Sequence, residues 1–309
     1  MTHSGSHMFA AYGLGATLYL PVIHPKVPDI LSGQAPVPAS SIVLCLEDAL
    51  REQDVEDGVR TLTRLVADRV PNGGPRPRLF IRPRSYDMAC RFRAIPGIDR
   101  VDGFVIPKAR LETLPDWISL LNGTRLTLMP TLETPDLFEP ARLIPFRNLL
   151  LGAGPDRIAA VRVGGNDLLG AMGLRRVRGL TAYEGPLAWF LATAAGLLIS
   201  AGVPVAAPVF DIIDDLETLR REVERDVQMG FISKTAIHPV QVPVIEGALA
   251  VPPEDVAAAE AILDHDARAV FQLGGVMCEP ATHAGWARRT LARAERFGFS
   301  SPPIRAAAG

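Results

Sequence analysis

The chain has 309 residues, 48% of them hydrophobic and 21% charged, with 32 Lys plus Arg against 34 Asp plus Glu. That balance fits a folded globular protein, excludes a disordered chain, and shows no basic surplus that would call for nucleic acid as a partner. Cys45, Cys90 and Cys278 are odd in number and far apart, which suits a reducing cytoplasm better than a disulfide framework and lacks zinc-type spacing.

Taken in chain order, MTHSGSHM (residues 1–8) reads as an expression-tag remnant and is set aside. Eight apolar, β-rich runs follow: ATLYLPV, SIVLCLE, RLFIRPR, GFVIPK, RLTLMPTLE, IAAVRVGG, VPVAAPVFD and FISKTAIHP. Each precedes a segment of helical length, the clearest being DDLETLRREVERDVQMG. Leu216, Leu219, Val223 and Val227 recur there at helical intervals, and Gly230 supplies the stop. Near-continuous apolar strands alternating with helices indicate a parallel sheet covered on both faces. Eight such repeats favour a closed (β/α)8 TIM barrel over an open doubly wound sheet. The longest apolar run, PLAWFLATAAGLLISAGVPVAAPVF, is broken by Gly202, Pro204 and Pro208. A membrane span needs about 20 uninterrupted apolar residues, so this run belongs to the core and no membrane is expected. Residues 9–240 are expected to form the barrel and 241–309 an appended C-terminal helical region, with QLGGVM as a turn between helices. The PNGGPRPR loop and the Pro/Ala tail complete the chain.

Polar residues collect where the apolar strands end: Glu47, Asp48, Arg82, Arg84, Lys108, Glu133, Asn166, Asp167, Asp211 and His238. Each alone has a plain structural explanation, such as a helix cap or an ion pair. Recurrence at nearly every strand end is different, because a parallel barrel gathers all its strand C-termini around one mouth, where such enzymes keep their chemistry. Glu133 and Asp167 end neighbouring strands, and two carboxylates with room for water suit Mg2+. Such an ion would act as a Lewis acid on a carbonyl. The planar fork of Arg82 suits a substrate carboxylate. AVRVGGNDLLG is not a nucleotide loop: its glycines are adjacent and late in the chain, and the dinucleotide spacing fails. Gly164 and Gly165 instead permit close approach of backbone to substrate or metal.

In order, LYLP, LCLEDAL, FIRPR, GFVIPK, MPTLET, GGNDLLGAMG and KTAIHPVQV resemble the signature blocks of the citrate lyase β-subunit-like family. That family lies in the HpcH/HpaI aldolase–citrate lyase group of the phosphoenolpyruvate/pyruvate barrel superfamily, and the resemblance spans residues 12 to 290. It implies a (β/α)8 barrel, a Mg2+ cofactor, and carbon–carbon cleavage or formation through a metal-stabilised enolate. Substrates would be 3-hydroxy acids, keto acids or acyl-CoA thioesters. By motif position, Glu133 and Asp167 resemble the metal ligands and Arg82 the substrate-holding arginine. Glu47 and Asp48 resemble the acidic pair that orients metal-bound water, with Lys108 and His238 at the same mouth. A homo-oligomer, trimer or hexamer, is implied, with Glu279 near a neighbour's site.

Three positions depart from the family pattern. Cys45 stands for the first aspartate of D-L-E-D, Arg84 for an asparagine, and Asn166 for a glutamate. The changes make the site more cationic and point to a more anionic substrate, phosphorylated ones included. They resemble the branch encoded beside tellurium-resistance genes. The main expectation is therefore a Mg2+-dependent carbon–carbon lyase, with Arg84, Gly164, Gly165, Asn166, Asp211 and His238 contacting substrate beside the catalytic Arg82, Glu47, Asp48 and Lys108. The alternatives are another reaction on an anionic metabolite or a non-catalytic barrel. Cys45 is read as a small buried filler and not a nucleophile, since only His238 sits at a comparable position to activate it.

Overall fold

A computed structural model describes residues 11–35, 37–68 and 76–300. The 1–8 segment, the first five residues of PNGGPRPR and the Pro/Ala tail from 301 lie outside the described residues. Eight parallel strands close into one barrel in sequence order: β1 (Ala16–Pro21), β2 (Ser41–Cys45), β3 (Arg78–Arg82), β4 (Gly103–Ile106), β5 (Thr127–Leu132), β6 (Val161–Val163), β7 (Val205–Ala207) and β8 (Ser233–Ala236). β8 returns to β1 with Thr235 opposite Thr17. The open-sheet alternative is thereby excluded.

Strand alternation sorts the apolar residues into two cores. Leu18, Ile42, Leu44, Ile81, Phe104 and Leu128 face outward and are covered by helices. Val43, Phe80, Val105, Met129 and Ala206 face inward and plug the lumen, as expected of a packed barrel interior rather than a pore. Any substrate is therefore confined to the space above that plug.

The helix Leu216–Gln228 shows how covering helices are held. Asp215 caps it by accepting from Thr218 N, and Leu219 and Val223 are buried. Its hidden face also carries Glu222 and Asp226. Lys234, on the outward face of β8, reaches both carboxylates at 2.8 Å. Arg176 grips Glu222 at 2.6 Å, and the Tyr183 hydroxyl donates to Asp226 at 2.7 Å. These charges are buried yet mutually paired, which is the condition for burying charge at all.

The domain boundary differs from the expected 240. Gln241–Leu249 is the closing helix of the barrel and not part of the extension. Gln241 donates to Phe210 O and accepts from Ile237 N, and Glu246 accepts from Ala16 N and from Ser40 Oγ. The extension starts with the helix Pro253–Leu263 and ends with Pro280–Phe297, which pack together around Ala259, Ile262 and Ala287. Between them QLGGVM is more than a turn. It joins β9 (Phe271–Leu273) to β10 (Val276–Cys278) in a hairpin, with Gly274 and Gly275 at φ +56° and +82°. Two consecutive left-handed residues are what a two-residue hairpin loop demands. Among the described residues no helix is long and apolar enough to cross a membrane.

Candidate active site

Five strand ends build one mouth around a cavity of about 480 Å3. Arg82 is the last residue of β3, and Glu133 follows β5 directly. Glu47 and Lys108 each lie two residues beyond their strands, β2 and β4. Asp167 comes one turn later than the sequence suggested. β6 stops at Val163, and Asp167 sits in the first turn of the short helix Gly165–Ala171. A groove of about 630 Å3 lined by Arg221, Glu224 and Arg225 lies on the outer helices, away from the strand ends.

Arg82 organises the mouth. Its Nη2 lies 2.5 Å from Glu47 Oε2, 3.0 Å from Glu133 Oε1 and 3.6 Å from Asp48 Oδ2. Lys108 Nζ donates to the other Glu47 oxygen at 2.6 Å, while its main-chain N donates to Glu133 Oε1 at 2.6 Å. Among the described residues, Lys108 alone of the non-glycines takes a positive φ, +44°. Strain of this kind collects at functional sites because it re-aims a backbone group. Here it turns an N–H onto a carboxylate.

Burial pushes the Glu133 carboxyl up to about 7, opposed by Arg82 and the Lys108 N–H and reinforced by Asp167 and Glu47. Burial also raises Glu47, against the pull of Arg82 and Lys108. Arg82 is held above its ordinary value: burial works against it, and Glu133, Tyr19 and Glu47 prevail. Burial lifts the Cys45 thiol above its usual range, so Cys45 lines the cavity as a neutral group. That agrees with its reading as a filler.

These features fit a divalent ion. Glu133 Oε1 carries both hydrogen bonds from its own site, and Oε2 turns toward Gly164, where a Cβ would overlap it. Gly164 thus opens the space between Glu133 and the Asp167-bearing turn. Gly165 in turn leaves room for Pro208, whose Cβ lies 2.8 Å from where its own Cβ would stand. A cation there would relieve the like-charge repulsion and burial penalty that now raise Glu133. Among the described residues no group of three or more His, Cys, Asp or Glu side chains forms a metal cage. An ion would therefore be held by few protein ligands and complete its shell with water and substrate oxygens, the habit of Mg2+.

The predicted residues do not all converge. Arg82, Glu133, Asp48, Asp167, Gly164, Gly165 and Asn166 line the cavity, with Asn166 exposed at its rim. Glu47 and Lys108 stand behind them through the bonds above. Arg84, expected as a substrate contact, is not among the residues that line the cavity. Its guanidinium turns back onto the loop after β2, donating to Leu46 O at 3.0 Å and to Leu50 O, and pairs with Glu52. His238 lies outside the cavity lining: it is exposed, and its Nδ1 accepts from Val240 N at the turn into the closing helix. Asp211 follows β7 outside the cavity lining, with Oδ1 buried and unpartnered. Glu279 precedes the last helix and accepts from Thr282. Sequence reasoning missed Tyr19, Thr131 and Arg162, which line the cavity from inside the barrel. The available signal was a lone arginine in the strand VRV, on the same alternation as Gly164.

A family model described as a C–C bond lyase of the TIM-barrel fold matches residues 8–299. The chain belongs to that family. Among characterised relatives of this lyase family, a (3S)-malyl-CoA thioesterase from Cereibacter sphaeroides is 24% identical over 298 residues, covering 92% of this chain and 96% of the relative. An L-malyl-CoA/beta-methylmalyl-CoA lyase from Rhodobacter capsulatus is 26% identical over 260 residues, covering 76% and 78%. The fold matches CitE from Mycobacterium tuberculosis, solved with magnesium, acetoacetate and coenzyme A, at a TM-score of 0.66 and 22% identity over 91% of this chain and 98% of CitE. The citrate-lyase-like membership read from the sequence blocks agrees with these matches.

Proposed function

We propose that the protein is a Mg2+-dependent carbon–carbon lyase acting on a 3-hydroxy acid or its acyl-CoA thioester. The observation that carries this reading is the arginine-braced pair Glu47 and Glu133 beside Asp167, at the mouth of a C–C bond lyase barrel. Held by Glu133 and Asp167, the ion would supply Lewis acidity toward the substrate carbonyl, so that charge released by bond cleavage collects as an enolate. Arg82 fixes both glutamates, and its Nε, buried without an acceptor, is a donor for a substrate oxygen. Cleavage also requires the substrate hydroxyl to lose its proton. Asp48 is the exposed carboxylate at the rim, and we assign it that role. Relatives that bear malyl-CoA names and a neighbour solved with magnesium and coenzyme A support the same class.

The test is Mg2+-dependent release of glyoxylate from malyl-CoA, with calorimetric Mg2+ titration of Glu133→Gln, Asp167→Asn and Asp48→Asn. The first two are expected to lose both ion binding and turnover, and the third turnover alone. Wild-type Mg2+ affinity in both Glu133→Gln and Asp167→Asn would sink the metal assignment. We also infer a homo-oligomer, because the β9–β10 hairpin and last helix expose Val276, Met277 and Trp286, apolar surface that a neighbouring subunit would cover; a trimer or hexamer in the cytoplasm is what the family resemblance implies.

A further inference from the structure

Arg162, in the middle of β6, is 1% exposed and lies inside the barrel one layer below the mouth. Its Nη2 donates to Thr235 Oγ1 at 2.5 Å and its Nη1 to Thr17 Oγ1 at 3.3 Å, and its guanidinium sits over the Tyr19 ring at 5.3 Å. Those partners are neutral. Among the described residues no carboxylate lies within ion-pair reach of Arg162, whereas Lys234 and Arg176, also buried, both hold Glu222. Arg82, the other guanidinium at the cavity, is already matched by Glu47 and Glu133. A buried cation without a counter-charge is costly unless something supplies one.

A second observation points to the same spot independently. Thr131 on β5 stands opposite Arg162 in the strand register, and both line the cavity. Thr131 is 4% exposed, and its Oγ1 is buried with no hydrogen-bond partner. The floor of the cavity thus holds an unmatched guanidinium beside an idle hydroxyl.

We propose that this floor is a second anion subsite, in which Arg162 and Thr131 receive an oxyanion, carboxylate or phosphoryl, on the part of the substrate that points down into the barrel. The subsite rests on the reading of this cavity as the substrate site. It makes the substrate at least doubly anionic, with one charged group at the mouth and one on the floor. It also moves the source of anion preference from Arg84, which is spent on its own loop, to a residue no rim motif contains. Guanidinium–oxyanion bonds are charge-assisted and directional, so losing them weakens binding about 10- to 100-fold.

The experiment measures binding by calorimetry with Mg2+ present, using two probe pairs that differ by one anionic group: lactate against malate, and glycerate against 3-phosphoglycerate. Wild type is expected to favour the member with two anionic groups in one pair by about tenfold or more. The malate pair would identify a carboxylate site and the phosphoglycerate pair a phosphoryl site. Arg162→Met should erase that margin while keeping wild-type affinity for Mg2+ and for the singly charged probes. Thr131→Val, which removes only an unpartnered hydroxyl, should fold as wild type and lose a smaller part of the margin, so the idea stays exposed even if Arg162→Met misfolds. A margin that survives both substitutions, or a wild type that binds Mg2+ and shows no margin in either pair, overturns the subsite alone. If neither Mg2+ nor any probe binds, the subsite and the proposed function fall together.

Discussion

The main-chain N–H of Lys108, carried at φ +44°, donates to Glu133 Oε1 over 2.6 Å. An L-residue in this region costs about 1–2 kcal/mol, and the bond to a buried carboxylate offsets it. Glycine adopts the same backbone freely, so Lys108→Gly should match wild type in Tm and Mg2+ affinity, losing only what the Nζ–Glu47 contact contributes. Lys108→Val, whose branched side chain resists a positive φ, should lose about 2 kcal/mol and misplace Glu133. Thermal unfolding beside Mg2+ titration decides the matter. Equal behaviour of the two variants would mean that the backbone turn does not hold Glu133.

The Glu133 carboxyl sets a pH dependence. Its value is raised from 4.5 to about 7, chiefly by burial, so between those limits the metal-free native state keeps a proton that the unfolded chain has released. Stability without metal should therefore fall as pH rises through that window, by about 3 kcal/mol from this group. Mg2+ competes with the same proton, so its affinity should climb up to about pH 7 and then level off. Urea denaturation in EDTA at pH 5, 6, 7 and 8 reads the slope. Glu133→Gln should reduce it without abolishing it, because Glu47 is raised in the same sense.

At Gly164 the backbone is ordinary, with φ −88°, yet an added Cβ would overlap the Glu133 side chain. Gly164→Ala is expected to leave the barrel folded while pushing Glu133 away from Asp167. Circular dichroism should be unchanged, and Mg2+ affinity should drop about tenfold or more. Normal affinity would show that Glu133 can bind from another rotamer.

Arg84 should behave as a loop anchor. Its bonds to Leu46 O and Leu50 O hold the turn that presents Glu47, and their loss in Arg84→Ala should cost about 2 kcal/mol. The preference between probes with one and with two anionic groups should not change. A selective loss of ligands with two anionic groups in this variant would return Arg84 to the substrate.

The fold was legible because each of the eight strands is a compact apolar run of its own. The rim was legible for a related reason: parallel topology gathers strand ends, so Arg82, Glu133 and Lys108 needed only position. Arg84 misled because side-chain direction past a strand end follows loop curvature, and the loop at Leu46–Leu50 offers it carbonyls. Arg162 was hidden because β6 is only three residues long, too short for alternation to declare which face a charge takes. The domain boundary slipped at Gln241 because the closing helix and the extension have similar composition. What separates them is hydrogen bonding to β1 and β8 neighbours, as at Glu246 and Gln241, which no local window contains.

The buried set of Arg176, Glu222, Asp226 and Lys234 has a consequence for inheritance. Its members come from three successive pieces of chain, between residues 176 and 234, and each charge is tolerable only while the others are present. A chimera spliced within that stretch would strand a charge in the wall, at about 3–5 kcal/mol, unless the donor brought a matching partner. Barrels are often pictured as interchangeable quarter- or half-units. In this one, the segment from Arg176 to Lys234 travels as a single cassette.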